Sequence, residues 1–331
     1  MGWCIVAVFN LRKAEEIANI LKNAPDGKVL NFYSFTGDKE QDPVSAAMYP
    51  ALYHPQAVDF FFLACAHQYG FWIGDDKGYE TPLYGTFNGK QTKGSDALWR
   101  SIKRAMDADP EIVTPKRLAT ISYDDVARKL FSDDNGVMPY PDLEHRFVLT
   151  RGYAAQMMDF DLTPAKIVSE AQKASASLES FLSITSDIAG YNDDLLLKKN
   201  QLLAMALANR PEKFLTVTDE ETWYPVVDYH LQRLALRLGG VEVNAEEREN
   251  LENKEWTTAE TERNVRDATG EFWLTVQEKS GKSHAQIDLA AWSARRFCPE
   301  TEAPKCEKCV FNAGCDHQTK LFQPVLRTDA Y

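Results

Sequence analysis

Apolar residues recur at helical spacing through most of the chain. In residues 11–24 the apolar positions Ala14, Ile17 and Leu21 fall on one face, and the pattern stops before Pro25. The same spacing predicts helices at residues 55–70, 94–107, 123–131, 164–182, 198–208 and 228–240. A capping box opens one more helix, predicted over residues 284–296. The predicted N-caps are Ser95, Ser122, Thr163 and Ser283.

Strand signals are few, and the predicted fold class is therefore mainly α. Short apolar runs predict strands at residues 4–9, 70–74 and 83–87. Residues 132–142 are rich in turn-forming residues, and residues 244–256 form an acidic stretch that we predict to be solvated. Neither stretch is long enough to separate independently folding domains.

The charge balance limits the partners of the protein. The chain has 37 Lys and Arg residues against 49 Asp and Glu residues, a net charge of −12. Duplex DNA binding usually leaves an excess of basic residues, so this balance favours a small substrate. No secretory signal and no apolar run of about 20 residues is present, so we expect a cytoplasmic protein without membrane contact. The sequence does not indicate an oligomeric state.

Four of the six cysteines lie between residues 298 and 315, with the spacing C-x7-C-x2-C-x5-C. In a cytoplasmic protein such a cluster favours metal binding over disulfide pairing. Four thiolates can hold a structural zinc ion or an iron–sulfur cluster, and the C-x2-C pair places two sulfurs on one tight turn. Structural zinc usually has two such pairs, whereas only Cys306 and Cys309 form one here.

The cysteine spacing resembles the iron–sulfur loop of helix-hairpin-helix DNA glycosylases of the endonuclease III type, which differs by one residue in the first gap. Residues 226–239 are similar to the segment of those enzymes in which a catalytic aspartate opens a helix, and Asp228 stands at that place. The resemblance implies a [4Fe–4S] cluster, with structural zinc as the alternative, on four ligands: Cys298, Cys306, Cys309 and Cys315. The hairpin with which those enzymes grip DNA is missing from residues 195–227, so duplex DNA is an unlikely partner.

A second resemblance covers roughly residues 55–295. Lys198 and Gln201 match one motif of the queuosine salvage family, and Asp228 and Tyr229 match another, in which His230 replaces an arginine. Segments 70–107 and 287–292 follow the family pattern in the same order. This family hydrolyses queuosine or its 5′-monophosphate to the free base. This resemblance implies a two-lobed helical fold like that of DNA glycosylases. The C-terminal four-cysteine iron–sulfur loop is not part of the salvage family and is implied by the first resemblance alone.

The two resemblances together imply that the chain is divided into three parts. An N-terminal helical lobe with a few short strands, which supplies a wall of the substrate site, is expected over residues 1–185. A glycosylase-like helical lobe with the catalytic aspartate is expected over residues 186–297. The iron–sulfur loop and tail are expected over residues 298–331.

Both resemblances identify Asp228 as the catalytic residue. A carboxylate beneath the sugar can stabilise the positive charge that develops as the base leaves, form a covalent adduct or activate water. An aspartate at this place is also a favourable N-cap, which is the alternative interpretation. Asp288 and Trp292 lie one turn apart on one helix face and could bind a purine-like base. The alternative interpretation is that Asp288 is a solvated acid and that Trp292 is a core residue.

Further substrate-binding residues follow from the family resemblance. Phe71 and Trp72 are expected to form a stacking wall, although two aromatic residues after a buried helix are more often core. Lys198 is expected to neutralise a 5′-phosphate or to hold the aspartate, and the adjacent Lys199 favours a solvated face as the alternative. Tyr229 is expected to contact the sugar, with a core role as the alternative.

The predicted function is an N-glycosidase that acts on a small 7-deazaguanine nucleoside or nucleotide of the queuosine type. Its partner is therefore a small nucleoside or nucleotide. One alternative is a DNA or RNA base-excision glycosylase, which the cysteine loop and the Asp228 segment favour. A second alternative is a protein that binds a modified nucleoside without turnover.

Overall fold

The computed structural model describes residues 6–25, 30–32 and 48–331, which belong to two compact units. Unit 1 takes its described residues from Met1–Leu30, Gly74–Thr81 and Tyr224–Arg327. Unit 2 takes its described residues from Asn31–Ile73, Pro82–Trp223 and Thr328–Tyr331. Each unit is thus built from segments far apart in the chain. The division at residues 185 and 297 stays a prediction, and Cys4 and Ile5 of the first predicted strand lie outside the described residues.

Helices dominate the described residues, as the periodicity predicts. The first helices in chain order are α1 (Leu11–Asn23), α2 (Ala57–Ala66), α3 (Gly94–Ala108), α4 (Pro115–Leu118), α5 (Tyr123–Asp125), α6 (Leu143–Asp159) and α7 (Pro164–Ala171). The remaining helices are α8 (Ser177–Thr185), α9 (Lys198–Asn209), α10 (Tyr229–Leu238), α11 (Ala245–Asn253), α12 (Ala259–Ser280) and α13 (His284–Ala294). None of them is both long and apolar enough to cross a bilayer.

The strands are short. They are β1 (Ala7–Phe9), β2 (Trp72–Gly74), β3 (Tyr79–Pro82), β4 (Tyr84–Phe87), β5 (Lys90–Lys93) and β6 (Val241–Val243). In unit 1, β1 pairs antiparallel with β6, with Ala7 opposite Val243. In unit 2, β4 and β5 form a hairpin around Asn88 and Gly89, and β5 runs directly into α3.

The core of unit 1 forms around the long helix α12, which packs against α1, β1 and α10. Its buried apolar residues Val265, Ala268, Phe272, Trp273 and Val276 are spaced three or four residues apart or are adjacent. The sequence prediction missed α12, although its apolar spacing is helical. Helix α10 contacts α12 and α13 in the same core.

The core of unit 2 forms around α2, which packs against α3, α7 and α9. Phe60, Phe61 and Phe62 are fully buried, which agrees with the prediction that this all-apolar helix is internal. The core therefore sets the positions of its C-terminal end and of the loop that follows, where Cys65, Ala66, His67 and Gln68 are buried.

Several predicted boundaries are wrong, among them that of the helix predicted over residues 55–70, which the structure limits to Ala57–Ala66. The N-cap of α3 is Lys93 rather than Ser95, because the chain passes from β5 into the helix without an intervening turn. The helix predicted over residues 164–182 is two helices, because Asp219 caps a new start by accepting hydrogen bonds from the amides of Leu178 and Glu179. Helix α13 ends at Ala294, two residues before the predicted end.

The acidic stretch at residues 244–256 contains helix α11, which the sequence prediction missed, and most of its residues are exposed, as predicted. The side chain of Asn244 accepts a hydrogen bond from the amide of Glu247 and caps the helix. Glu246 and Glu247 lie in the first turn, where negative charge is favourable. Leu251 is buried, so one apolar anchor together with the cap is enough to place this helix.

Candidate functional site

Asp228 is the N-cap of α10. Its Oδ1 accepts hydrogen bonds from the amides of His230 at 2.8 Å and Leu231 at 3.0 Å. The preceding carbonyl of Val227 accepts a hydrogen bond from Nε of the buried Arg266 at 3.1 Å. The side chain of Asp228 is half-buried. The N-cap interpretation is thus correct, and both capping bonds use the same oxygen of the carboxylate.

Tyr229 follows Asp228 and is buried, with its ring against that of His230 at a centroid distance of 4.2 Å. Burial, followed by the Glu300 and Asp228 carboxylates, raises the pKa of the Tyr229 hydroxyl. The hydroxyl therefore stays protonated and can serve as a hydrogen-bond donor at neutral pH.

A network of buried polar side chains lies one turn along α10. Arg233 Nη1 donates to Gln323 Oε1 at 2.7 Å and lies 3.4 Å from Glu300 Oε1. Arg233 Nη2 lies 2.9 Å from His230 Nδ1, and an arginine can only donate, so this nitrogen of His230 is the acceptor. The 3.5 Å approach of the same nitrogen to Glu300 is then not a hydrogen bond. The network ties α10 to Glu300, which lies within the cysteine run.

Asp288 and Trp292 lie on α13, as predicted, and away from its core-facing residues. The core face consists of Ile287, Ala291 and Ala294, whereas Asp288 and Trp292 are half-buried. Arg295 stacks its guanidinium on the ring of Trp292, 3.6 Å from the centroid. Trp292 is therefore not a core residue, and three side chains form a polar and aromatic stripe along one face of this helix.

The four predicted metal ligands line one small cavity in unit 1. Cys309 closes a 3₁₀ turn that begins at Cys306, with its amide donating to the Cys306 carbonyl at 3.0 Å. A second 3₁₀ turn, Asn312–Gly314, precedes Cys315. The five described cysteines are free thiols, so no disulfide competes within this part of the chain.

The cysteine loop packs onto the C-terminal end of α10. The amides of Asp316 and Gln318 donate to the carbonyls of Leu238 and Arg237, at 3.2 and 3.1 Å, which satisfies acceptors that the helix leaves open. Gly239 ends the helix with φ near +80°, and a side chain there would collide with Asp316. The loop is therefore attached to the same helix that carries Asp228.

The cysteines do not form a finished metal site in this structure. Within the described residues, no group of three or more His, Cys, Asp or Glu side chains has the arrangement of a metal site. Burial raises the pKa of the Cys309 thiol, and it raises that of Cys315 to about 11. The donor set suits a zinc ion or an iron–sulfur cluster, and either would require the loop to adjust and the thiols to lose protons.

In unit 2, three buried cations converge on the C-terminal end of α2 and the residues after it. Lys199 Nζ lies 3.4 Å from the carbonyl of Ala66, and Lys198 Nζ donates to that of Gln68 at 2.9 Å. Arg146 donates to the carbonyls of His67 and Tyr69, at 2.9 and 2.6 Å. Four consecutive carbonyls, from residue 66 to residue 69, thus face positive groups, which suits the negative end of a helix.

The burial of these cations contradicts one alternative from the sequence. Lys198 is 4% exposed and Lys199 is fully buried, so the two lysines do not form a solvated face. Asp194 Oδ2 accepts the amide of Lys198 at 2.7 Å and holds the start of α9. Both lysines occupy defined positions in the interior of unit 2.

His67 supplies an acceptor beside this cluster. Thr150 Oγ1 donates its only proton to the carbonyl of Arg146 at 2.7 Å, so His67 Nε2, 3.0 Å from that oxygen, must be the donor. Nδ1 of His67 is then an unprotonated acceptor, and it meets no hydrogen-bond partner among the described residues. Burial, followed by the charges of Arg146 and Lys199, lowers the pKa of His67, which keeps the ring neutral.

We predict that Lys199 makes stability depend on pH. Burial lowers its pKa to about 8 from 10.5, so between these values the unfolded chain binds more protons than the folded chain. The contribution of Lys199 to the free energy of unfolding therefore rises with pH, by about 2 kcal/mol between pH 7.5 and 9.5. The measurement is the difference between the wild-type protein and Lys199→Met in chemical unfolding across that range. A constant difference would contradict the assignment.

Phe71 and Trp72 follow this cluster directly. They are 3% and 7% exposed, and the guanidinium of Arg146 lies 5.9 Å from the centroid of the Phe71 ring. Gly70 turns the chain before them with φ near +67°, and a side chain there would come within 3.2 Å of Asp142 Oδ2. Their positions are well defined, but their burial makes them as consistent with core packing as with a stacking wall.

The predicted site residues thus lie in both units. Unit 1 holds Asp228 and Tyr229 at the start of α10, Asp288 and Trp292 on α13, and the four cysteines. Unit 2 holds Phe71, Trp72 and Lys198. Helices α10 and α13 pack against each other. In unit 2, Lys198 donates to the carbonyl of Gln68, which lies three residues before Phe71 in the chain.

Sequence reasoning missed the charged residues that organise these positions: Arg146, Arg233, Arg237, Arg295 and Glu300. A sequence signal was present for two of them, since Arg233 and Arg237 lie one turn apart on a helix whose other residues are mostly apolar. Their acceptors come from distant segments, which the pattern does not identify.

The chain also has an apolar cavity that contains none of the predicted site residues. It has a volume of about 320 Å³ and lies in unit 1 between the end of α1, α13 and the segment after Cys306. The α13 residues that line it, among them Gln286, Ala290 and Ser293, lie roughly opposite the stripe of Asp288 and Trp292.

Comparison with known proteins gives one family match. Residues 48–209 match the family model described as queuosine salvage protein. The match spans just under half of the chain and supports the salvage family that the sequence motifs indicate. It includes Phe71, Trp72 and Lys198, whereas Asp228 and the cysteines follow it. No curated protein matches the chain.

Proposed function

We propose that the protein is an N-glycosidase that hydrolyses a 7-deazaguanine nucleoside of the queuosine type, or its 5′-monophosphate, and releases the free base for salvage. The observation that carries the proposal is the match of residues 48–209 to the queuosine salvage family. The described residues support it with a half-buried aspartate at a helix start and a neighbouring helix that offers a stacking surface. The proposed fold is the two-lobed helical fold of DNA glycosylases.

Asp228 is the proposed catalytic residue. Cleavage of the N-glycosidic bond leaves the electron pair on the base and positive charge on C1′ and the ring oxygen of the sugar. The carboxylate stabilises that charge and accepts a proton from the attacking water. In the balanced reaction, the hydroxyl of water joins C1′ and the base gains one proton. The hydrogen bonds to Oδ1 hold the carboxylate in a single orientation.

The α13 stripe supplies the proposed contacts to the base. Trp292 supplies an aromatic ring for stacking against the base, and the guanidinium of Arg295 already stacks on one face of that ring. Asp288, one turn before it, is a hydrogen-bond acceptor for the amino and imino groups of a guanine-like edge. Phe71, Trp72 and Lys198 remain proposed substrate-binding residues on the basis of the family pattern.

We further propose that Cys298, Cys306, Cys309 and Cys315 hold a [4Fe–4S] cluster, with structural zinc as the alternative. Support comes from their shared cavity, the knuckle of Cys306 and Cys309 and the absence of disulfides among the described cysteines. When bound, such a centre would crosslink the loop and so hold it on α10. The cysteines have no proposed part in the hydrolysis itself.

A base-release screen tests the proposed function. The purified protein is incubated with queuosine, its 5′-monophosphate, other 7-deazaguanine nucleosides and ordinary guanosine, and the free base is quantified by chromatography. We expect release from the queuosine type and none from guanosine. No free base from any 7-deazaguanine substrate would refute the proposal.

The same screen separates the alternative functions when duplex DNA and RNA are added to its substrates. A base-excision glycosylase would release a base from duplex DNA or from RNA and would bind the duplex in a salt-dependent way. A binding protein without turnover would retain a modified nucleoside intact. The net charge of −12 and the missing DNA-gripping hairpin make the duplex a poor expected partner.

A further inference from the structure

Arg237 contacts both ends of the cysteine run. It lies in the last turn of α10 and is 5% exposed. Its Nη1 donates to Cys298 Sγ at 3.2 Å, and its carbonyl lies 3.5 Å from Cys315 Sγ. One residue thus touches the first and the last of the four cysteines, the former with its side chain and the latter with its backbone.

The guanidinium of Arg237 is held in place by two carbonyls. Nη1 also donates to the carbonyl of Pro299 at 2.9 Å, and Nε donates to that of Leu321 at 2.8 Å. These acceptors lie near the two ends of the cysteine run, because Pro299 directly follows Cys298 and Leu321 comes after Cys315. The side chain therefore has a fixed orientation, and its contact with sulfur follows from a built arrangement rather than from a mobile surface residue.

We propose that Arg237 is a positioning residue for the metal centre of the four cysteines, an inference that rests on the metal site proposed above. A guanidinium hydrogen bond to a ligating thiolate is charge-assisted, so it strengthens as the sulfur takes on negative charge. Such bonds orient the ligand and withdraw electron density from the sulfur, which alters metal affinity, spectrum and reduction potential. Because the same residue belongs to α10, it also links the centre to the helix that begins at Asp228.

The inference is specific to Arg237 among the arginines of α10. Arg233, one turn earlier, directs its side chain to Gln323, Glu300 and His230. Arg248 contacts the same loop through Gln318 Oε1 at 2.7 Å and pairs with Glu252, and within the described residues its side chain does not bond to a sulfur. Arg248→Gln is therefore a matched control, since it removes a guanidinium contact to the loop without touching a cysteine.

The test uses the full chain, reconstituted without oxygen with iron and sulfide, in four forms: wild type, Arg237→Gln, Arg237→Lys and Arg248→Gln. The readouts are the rate of iron release to a chelator and the visible and electron paramagnetic resonance spectra. We expect about tenfold faster release or more for Arg237→Gln, with altered spectra. Arg237→Lys keeps the charge, so its rate of iron release should lie between those of the wild type and Arg237→Gln. Arg248→Gln should release iron at the wild-type rate and give the wild-type spectra.

A merely structural role would lower the melting temperature but would leave the spectra of the bound centre unchanged. Equal release rates and identical spectra for wild type and Arg237→Gln would overturn the inference. If Arg237→Gln does not fold, the same comparison with Arg237→Lys decides it. A wild-type protein that retains neither iron nor zinc would also overturn it, while base release by that preparation would show separately whether the proposed function holds.

Discussion

Asp228→Asn is expected to lower the turnover number for base release by about a thousandfold or more while leaving the fold intact. The amide keeps the oxygen that caps α10, so the hydrogen bonds to the amides of His230 and Leu231 persist. It loses the negative charge that would stabilise the sugar cation and accept the proton of water, a contribution of about 10²–10⁴ in rate. Steady-state kinetics and the melting temperature, measured on the same preparation, check both parts of the prediction.

Two further variants make this result specific. Asp109→Asn changes another capping aspartate, whose Oδ1 accepts the amide of Glu111, and should leave turnover unchanged. Asp228→Ala removes the cap as well as the charge, and should also cost about 1 kcal/mol of unfolding free energy. If Asp228→Asn keeps wild-type turnover, Asp228 is only a helix cap and the catalytic assignment is wrong.

Cys309→Ala is expected to abolish metal binding by the cysteine loop. Cys309 closes the turn that begins at Cys306 and lines the shared cavity, so its loss leaves three thiolates spread over a loop. Iron or zinc content should fall to background, with loss of any visible absorption. Limited proteolysis should then cut between residues 298 and 323, because the loop has lost its crosslink.

The matched control is Cys65→Ala. Cys65 is the described cysteine outside the cluster, and it is fully buried in α2 of unit 2. Its burial raises the pKa of the thiol, which is the behaviour of an inert core cysteine rather than a ligand. Metal content should stay at the wild-type value in this variant. Equal metal content in Cys309→Ala and the wild type would show that the cysteines do not form the centre.

Most helices could be predicted from apolar spacing and capping residues because these signals are local. Thr163 and Ser283 cap their helices as predicted, and Gly239 ends α10 in the left-handed conformation. The break between α7 and α8 could not be predicted, because its cause is Asp219, about forty residues away. Helix α11 was missed because its acidic composition indicates only solvent exposure, which the structure confirms for most of the stretch, and one cap with one buried leucine forms the helix.

The site was predictable in part, for the same reason. The cysteines share a cavity because they are close in sequence, and Asp228 caps a helix because its pattern is local. The solvated face that was the alternative for Lys198 is wrong, because the side chain is buried and donates to the carbonyl of Gln68, which lies in a distant part of the sequence. The arginines that tie the loop to α10 were missed because their partners come from such distant segments.

The central claim is that this chain cleaves the bond between a 7-deazaguanine base and its sugar, with Asp228 as the catalytic carboxylate. The most direct measurement incubates queuosine 5′-monophosphate with wild type and with Asp228→Asn and quantifies free base and sugar phosphate by mass spectrometry. We predict equal amounts of the two products from the wild type and background amounts from the variant. Intact substrate in both tubes, or equal product in both, would contradict the claim.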